Sequence, residues 1–341
     1  KEAGMEVELY EGIEPDPSVE TVMKGAAAMQ AFQPDVIVAI GGGSVMDATK
    51  AAAWLAANSS CDGDKLWTGM RYPALPFALV GTTAGTGSEV TATAVLPLDR
   101  DGRKKSVNER NCYERIAFDD PAYTRTMSRN TTLSTALDAL AHAVEGYLSP
   151  SCGDVAASFA EKALPLITGG LQWLREHEGT PDDALRERLY AGSLWAGLVL
   201  NSCGTAFPHP LGYILTEDFQ VDHGYACAVF LPALARRAAH GAALTRRTGR
   251  GIHCLFDGEV DAAVFVDADD LDFDLLPFLK MILYIIYVGV GDLRDMHQTR
   301  PALRQGDESA ELCDACDLPL YNRTNTELHL TDISSLSICA G

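Results

Sequence analysis

The stretch PDVIVAIGGGSVMDATKAAAWLA, residues Pro34–Ala56, decides the fold class. Its β-branched run Val36–Ile40 reads as a strand, Gly41–Gly43 with Ser44 as a tight turn, and the alanine-rich remainder through Ala53 and Leu55 as a helix. A second unit, PFALVGTTAGTGSEVTATAVL at residues 76–96, follows the same logic: an apolar run Phe77–Val80, a turn dense in glycine and threonine, then another apolar run. Alternating strands and helices imply a parallel sheet. Glycines at a strand-to-helix turn let the backbone approach a phosphate, and the helix start offers free N–H groups and a positive dipole end. Gly41–Ser44 suit that role, or equally that of a purely structural turn, since GGGS is neither GxGxxG nor a P-loop. Two such turns at the ends of neighbouring strands would line one crevice with amide and hydroxyl donors, which makes a nucleotide the natural ligand.

Past Asn130 glycine turns thin out and long alanine- and leucine-rich segments take over. TTLSTALDALAHAVEGYL (131–148), residues 154–174, 182–200 and 226–239 all carry helical periodicity. Thr180, Pro181 and Asp182 mark a helix start. The expected organisation is an α/β dinucleotide-binding domain over residues 1–129 and an all-α metal-binding domain over 130–341. Cys313 and Cys316 form a CxxC pair without a second pair at zinc-site spacing, and are read as carrying no metal. Residues 257–274 hold eight acidic residues with no clean period and read as a solvated edge.

Composition narrows the function. Across 341 residues, 27 Lys and Arg stand against 47 Asp and Glu, a net charge of -20, opposite to what a phosphate backbone attracts, so nucleic acid is not the expected partner. Nine scattered cysteines fit reduced thiols in a cytoplasm. No basic-then-apolar leader follows Lys1. The longest apolar run, Met281–Val290, falls well short of the ~20 residues of a membrane span, so no membrane partner is expected.

Asp138 and His142 are four apart on a helical segment and share a face. They form a local hydrogen-bonded pair or half of a metal site. His209 and His223 stand among apolar residues, glycine and proline, as core histidines or as the other half. Residues 131–161 and 201–231 contain no Lys or Arg, so a divalent cation would balance a buried carboxylate there. Three imidazoles and a carboxylate suit a borderline first-row metal such as Fe2+ or Zn2+ over hard oxygen-only ions. Such a metal would act as a Lewis acid on an alcohol or aldehyde oxygen while hydride passes to or from a nicotinamide.

Taken together, GGGSVMDATK (41–50), TTAGTGSEVT (82–91), DPAYTRTMSRNTTLSTALDALAHAVEGYLS (120–149) and HPLGYILTEDFQVDHG (209–224) resemble the iron-containing (group III) alcohol dehydrogenase family, over residue 7 to about 240. The resemblance implies a Rossmann-like α/β domain with its first strands missing, a helical domain, and a metal in the cleft. It implies that Asp138, His142, His209 and His223 are the metal ligands. It also implies that Gly42, Gly43 and Ser44 hold the cofactor pyrophosphate with Asp47 supporting their loop, that Thr82, Thr83, Thr86 and Thr91 contact the cofactor, and that Lys104 lies near the ribose. Asp47 and Thr91 equally suit bracing roles.

Three departures accompany the resemblance. Roughly fifty residues of the family's opening βαβ unit are absent, so the chain reads as a fragment or incomplete gene, and the choice between NAD and NADP is not legible. Loss of those strands should expose sheet edge and apolar surface. Tyr213 stands where many members carry a further histidine, placing the proton path on its hydroxyl or on water. The tail keeps only a faint echo of the family's ending.

The expected function is hydride transfer between NAD(P)H and a small alcohol or aldehyde, in a homodimer as the family suggests. The alternatives are a dehydroquinate-synthase-like lyase, a glycerol-dehydrogenase-like enzyme, or a truncated, non-catalytic remnant.

Overall fold

Ser18 opens the first helix by accepting the Thr21 N–H on its Oγ, and α1 (Val19–Phe32) ends where Gln33 turns to a left-handed φ of 54°. The Val36–Ile40 run becomes strand β1 (Ile37–Gly41), and Gly42 caps α2 (Gly43–Ala57). Strand β2 (Phe77–Gly81) lies parallel to β1 in the register Ile37↔Phe77 to Gly41↔Gly81. The computed structural model describes residues 4–70, 72–97 and 103–238. The CxxC pair, the acidic stretch 257–274 and the apolar run 281–290 fall outside them. Among the described residues no helix is long and apolar enough to cross a membrane.

After the second turn the chain departs from simple strand–helix alternation. A short 3-10 turn at Ser88–Val90 leads into β3 (Thr93–Pro97), which pairs antiparallel with β4 (Lys104–Asn108). The threonine- and valine-rich run favours extended backbone. Strand β5 (Ile116–Phe118) then returns to lie parallel to β2, giving the order β1-β2-β5. Ala39, Phe77 and Leu79 bury one face of this sheet against Met46 and Ala53 of α2. On the other face Val38, Ile40, Ile116 and Phe118 are exposed, and β1 has no outer partner among the described residues.

The helical half follows its periodicity. Ser128 caps α3 (Arg129–Tyr147) through the Thr131 N–H; α4 spans Asp154–Glu176; Asp182 caps α5 (Asp183–Cys203) by accepting the Leu185 N–H. These three helices pack on one another. Two short helices, α6 (Pro208–Phe219) and α7 (His223–Ala228), complete the site. The continuous helix expected over 226–239 is interrupted instead: Val229 and Phe230 form a turn and a new helix occupies 231–238. Pro232, which lacks an N–H, suits the first turn of that new helix. Both halves belong to the compact unit that runs through Leu234. They meet at Gly87, whose φ of +60° and lack of a Cβ let its backbone touch Gly197 of α5.

Glu89 is 1 % exposed at this junction, and neither carboxylate oxygen has a hydrogen-bond partner among the described residues. Burial, reinforced by Asp119 and Glu114, pushes its pKa from 4.5 up to about 7. A carboxyl whose folded pKa is raised contributes fully below its unfolded value and loses that contribution as pH climbs through the folded one. The loss therefore falls between about pH 4.5 and pH 7, and the shift corresponds to about 3 kcal/mol at most. Urea melts of Glu89→Gln against the parent should show the variant gaining relative stability from pH 5 to pH 8. A difference independent of pH would refute the assignment.

Candidate active site

Helix α3 places Asp138 and His142 one turn apart, and both are buried. Helix α6 brings His209 in at its second residue, behind Pro208, and α7 begins at His223. Gly224 makes the last approach possible, since a Cβ there would overlap the Ser134 carbonyl and crowd the Asp138 N–H of α3. The result is convergence on one atom. Asp138 Oδ1 lies 3.6 Å from His142 Nε2, 3.5 Å from His209 Nε2 and 3.7 Å from His223 Nε2. The His142 and His209 rings stack at 4.7 Å, and His223 stands at 72° to His209.

The electrostatics match the geometry. Burial works to raise Asp138, but His142, His209 and His223 hold its carboxyl far below the usual range. Burial pulls both His142 and His223 down to about 4, so each keeps a neutral ring with a free lone pair at neutral pH. Burial also pushes His209 down, yet Cys227 and Glu145 beside it prevail and leave it well above the ordinary imidazole value. Asp138 Oδ1 and His209 Nε2 are buried and have no hydrogen-bond partner among the described residues. Buried polar atoms are almost always satisfied. One carboxylate oxygen and three imidazole nitrogens facing a common point fit a divalent first-row cation.

Two neighbours of this cluster, Cys227 and Glu145, were not singled out in the sequence, and a third, Lys104, was expected near the cofactor ribose. The Cys227 thiol lies with donor atoms of Asp138, His209 and His223 so that all fall within 4.8 Å of one another. Glu145, on the same stripe of α3, is fully buried against the far side of His209. Lys104 reaches the cluster from β4: its Nζ sits 5.8 Å from the centre of the Tyr213 ring and 2.7 Å from Asp16 Oδ1. The lysine- and arginine-free segments are thus supplied with a cation from elsewhere in the chain. Tyr213 stacks on His223 at 5.3 Å, and burial raises its hydroxyl to about 12.

The two glycine-rich turns lie side by side. Thr82 N–H donates to the Gly41 carbonyl, and a Cβ on Gly42 or Gly43 would meet Thr83 at 3.0 Å or Thr86 at 2.8 Å. Ser44 Oγ accepts the Asp16 N–H, and Thr83 Oγ1 is buried with no partner among the described residues. Asp47 and Thr91 face inward. Asp47 accepts from Ser88 Oγ at 2.6 Å and from the Val95 N–H at 2.9 Å, while Thr91 is 2 % exposed and its carbonyl accepts from Lys50. Gly42, Gly43, Ser44, Thr82, Thr83 and Thr86 form the crevice, and Asp47 and Thr91 brace it.

Two family models match this chain: iron-containing alcohol dehydrogenase over residues 1–121 and the C-terminal part of the Fe-containing alcohol dehydrogenase family over residues 132–258. Similarity extends to an NADPH-dependent butanol dehydrogenase from Clostridium saccharobutylicum, 34% identical over 236 residues, covering 68% of this chain and 60% of that one. The chain spans about 60% of the length of such curated relatives. Among solved structures, an iron-containing alcohol dehydrogenase from Thermotoga maritima superposes with a TM-score of 0.64 at 32% identity, over 81% of this chain and 70% of that one. A sulfoacetaldehyde reductase from Bifidobacterium kashiwanohense, solved with NAD+, gives 0.60 at 28% identity, over 71% and 68%.

Proposed function

The chain belongs to the iron-containing alcohol dehydrogenase family, and from that premise we propose that it transfers hydride between NAD(P)H and a small alcohol or aldehyde, acting as a homodimer in the cytoplasm. One observation carries the reading: a single buried carboxylate oxygen, Asp138 Oδ1, faced by three imidazole Nε2 atoms at 3.5–3.7 Å. Asp138, His142, His209 and His223 would hold Fe2+ or Zn2+. When bound, the metal supplies Lewis acidity toward an alcohol or carbonyl oxygen and the nicotinamide supplies or accepts the hydride.

The chain's own residues set the rest. The free N–H groups at the start of α2, from Gly43 and Ser44, with the helix dipole behind them, hold a pyrophosphate, and Thr82, Thr83 and Thr86 offer hydroxyls across the crevice. Lys104 adds a positive charge between crevice and cluster. Tyr213, neutral at physiological pH because its hydroxyl is raised to about 12, keeps a proton on Oη within the same site. The tyrosine thereby offers a donor where many relatives place a histidine.

The test pairs elemental mass spectrometry on anaerobically purified protein with NADH and NADPH oxidation by short aldehydes. About one iron or zinc per chain is expected, with turnover by at least one nucleotide. The butanol dehydrogenase relative is named for NADPH and the sulfoacetaldehyde reductase was solved with NAD+, so both are assayed. Absence of metal even after anaerobic reconstitution with either ion would refute the proposal.

A further inference from the structure

We propose that Glu145 is a positioning residue that fixes which nitrogen of His209 faces the donor cluster. Glu145 follows His142 by three residues and Asp138 by seven, which keeps all three on one stripe of α3. It is completely buried, and both of its oxygens are engaged. Oε1 lies 2.6 Å from His209 Nδ1, and Oε2 accepts the Ala206 N–H at 2.6 Å. Ala206 belongs to the turn that leaves α5 at Gly204, where φ is +69°, and enters α6 just before His209. One carboxylate thus ties α3 to the backbone that delivers the histidine and to the histidine's own ring.

The chemistry of the pair decides the tautomer. An ionised carboxylate only accepts, so the partner at 2.6 Å must donate, and the proton resides on His209 Nδ1. In the neutral ring, the form able to ligate a cation, the lone pair is then left on Nε2, the atom that lies 3.5 Å from Asp138 Oδ1 and has no hydrogen-bond partner among the described residues. With the opposite tautomer Nε2 would carry hydrogen and could not ligate. A carboxylate behind a ligating imidazole also holds the ring plane and raises its basicity. Among the described residues His223 has no such anchor: its Nδ1 meets Thr216 Oγ1 at 3.4 Å and the Cys227 thiol at 3.8 Å.

The effect on metal affinity rests on the metal reading, and the tautomer does not. In Glu145→Gln the single amide oxygen can keep the Ala206 N–H, which turns the amide NH2 toward His209 Nδ1 and drives the proton to Nε2. Zinc affinity of the purified full chain, measured by chelator competition, should fall about 10- to 100-fold in this variant. The second readout is the ring-nitrogen NMR of the metal-free chain at a pH high enough for His209 to be a neutral ring, with His209 assigned through His209→Gln. The parent's neutral ring should keep Nδ1–H and a bare Nε2, and the variant's the reverse. A neutral parental ring found in the Nε2–H form overturns the proposal even if no variant folds. So does a Glu145→Gln protein that keeps both parental zinc affinity and tautomer, because Glu145 would then only brace Ala206. If the parent bound no zinc while the tautomer switched as expected, the positioning role would stand and the metal reading would fall.

Discussion

Asp138→Asn is expected to strip the protein of metal while leaving it folded and able to bind nucleotide. Asparagine keeps the volume and an oxygen, so the packing of α3 against α7 at Gly224 is undisturbed, but the only anion among the four converging donors is gone. The three imidazoles lie within 3.7 Å of the oxygen that changes. Loss of a ligand outweighs loss of an outer partner, so affinity should fall by more than the about 100-fold upper value for the latter. Metal stoichiometry after dialysis, thermal melting and nucleotide titration together read the outcome. Retained metal at the parental stoichiometry would show that the ion sits elsewhere, and a collapsed melt would show that Asp138 is chiefly structural.

What the sequence disclosed here was what short-range pattern encodes. The run Val36–Ile40 followed by three glycines could only leave a strand through a tight turn, and β1, its turn and α2 stand where that pattern puts them. Asp138 and His142 were legible as a pair because a helix fixes their spacing, and the structure brings them together with His209 and His223. Contacts that depend on tertiary approach were silent. Lys104 is 109 residues from Tyr213, and nothing near it in the sequence points to the ring it faces. Glu145 lay inside the quoted helix, yet its role appears only when α6 delivers His209 against it. The β3–β4 hairpin was hidden because apolar runs do not announce whether their pairing is parallel or antiparallel. The break at Val229–Phe230 was missed because alanine-rich flanks carry helical periodicity straight across it.

Lys50→Met is expected to destabilise the chain by about 3–5 kcal/mol, because it removes one partner of a buried, hydrogen-bonded charge. Lys50 is fully buried beneath the crevice, and its Nζ donates to the carbonyls of Ser88 at 2.8 Å, Thr91 at 3.1 Å and Thr93 at 2.6 Å and to Ser88 Oγ at 2.7 Å. It also balances Asp47, 3.6 Å away, whose carboxyl is already raised by burial despite that neighbour. Methionine fills similar space but leaves those oxygens without their donor and Asp47 without a counter-charge. A carboxyl with a raised folded pKa weakens the fold as pH climbs through that value, so the deficit should be larger at pH 8 than at pH 5. Adding Asp47→Asn should recover part of the loss, since the uncompensated charge disappears while the unsatisfied carbonyls remain. Nucleotide binding should weaken as well, because Lys50 ties Ser88 and Thr91, the end of the second turn, to the helix that carries the first. Urea melts at both pH values, with nucleotide titration of the single and double variants, read all of this. A loss below about 1 kcal/mol, the scale of one ordinary hydrogen bond, would show that the two turns hold their places without the lysine.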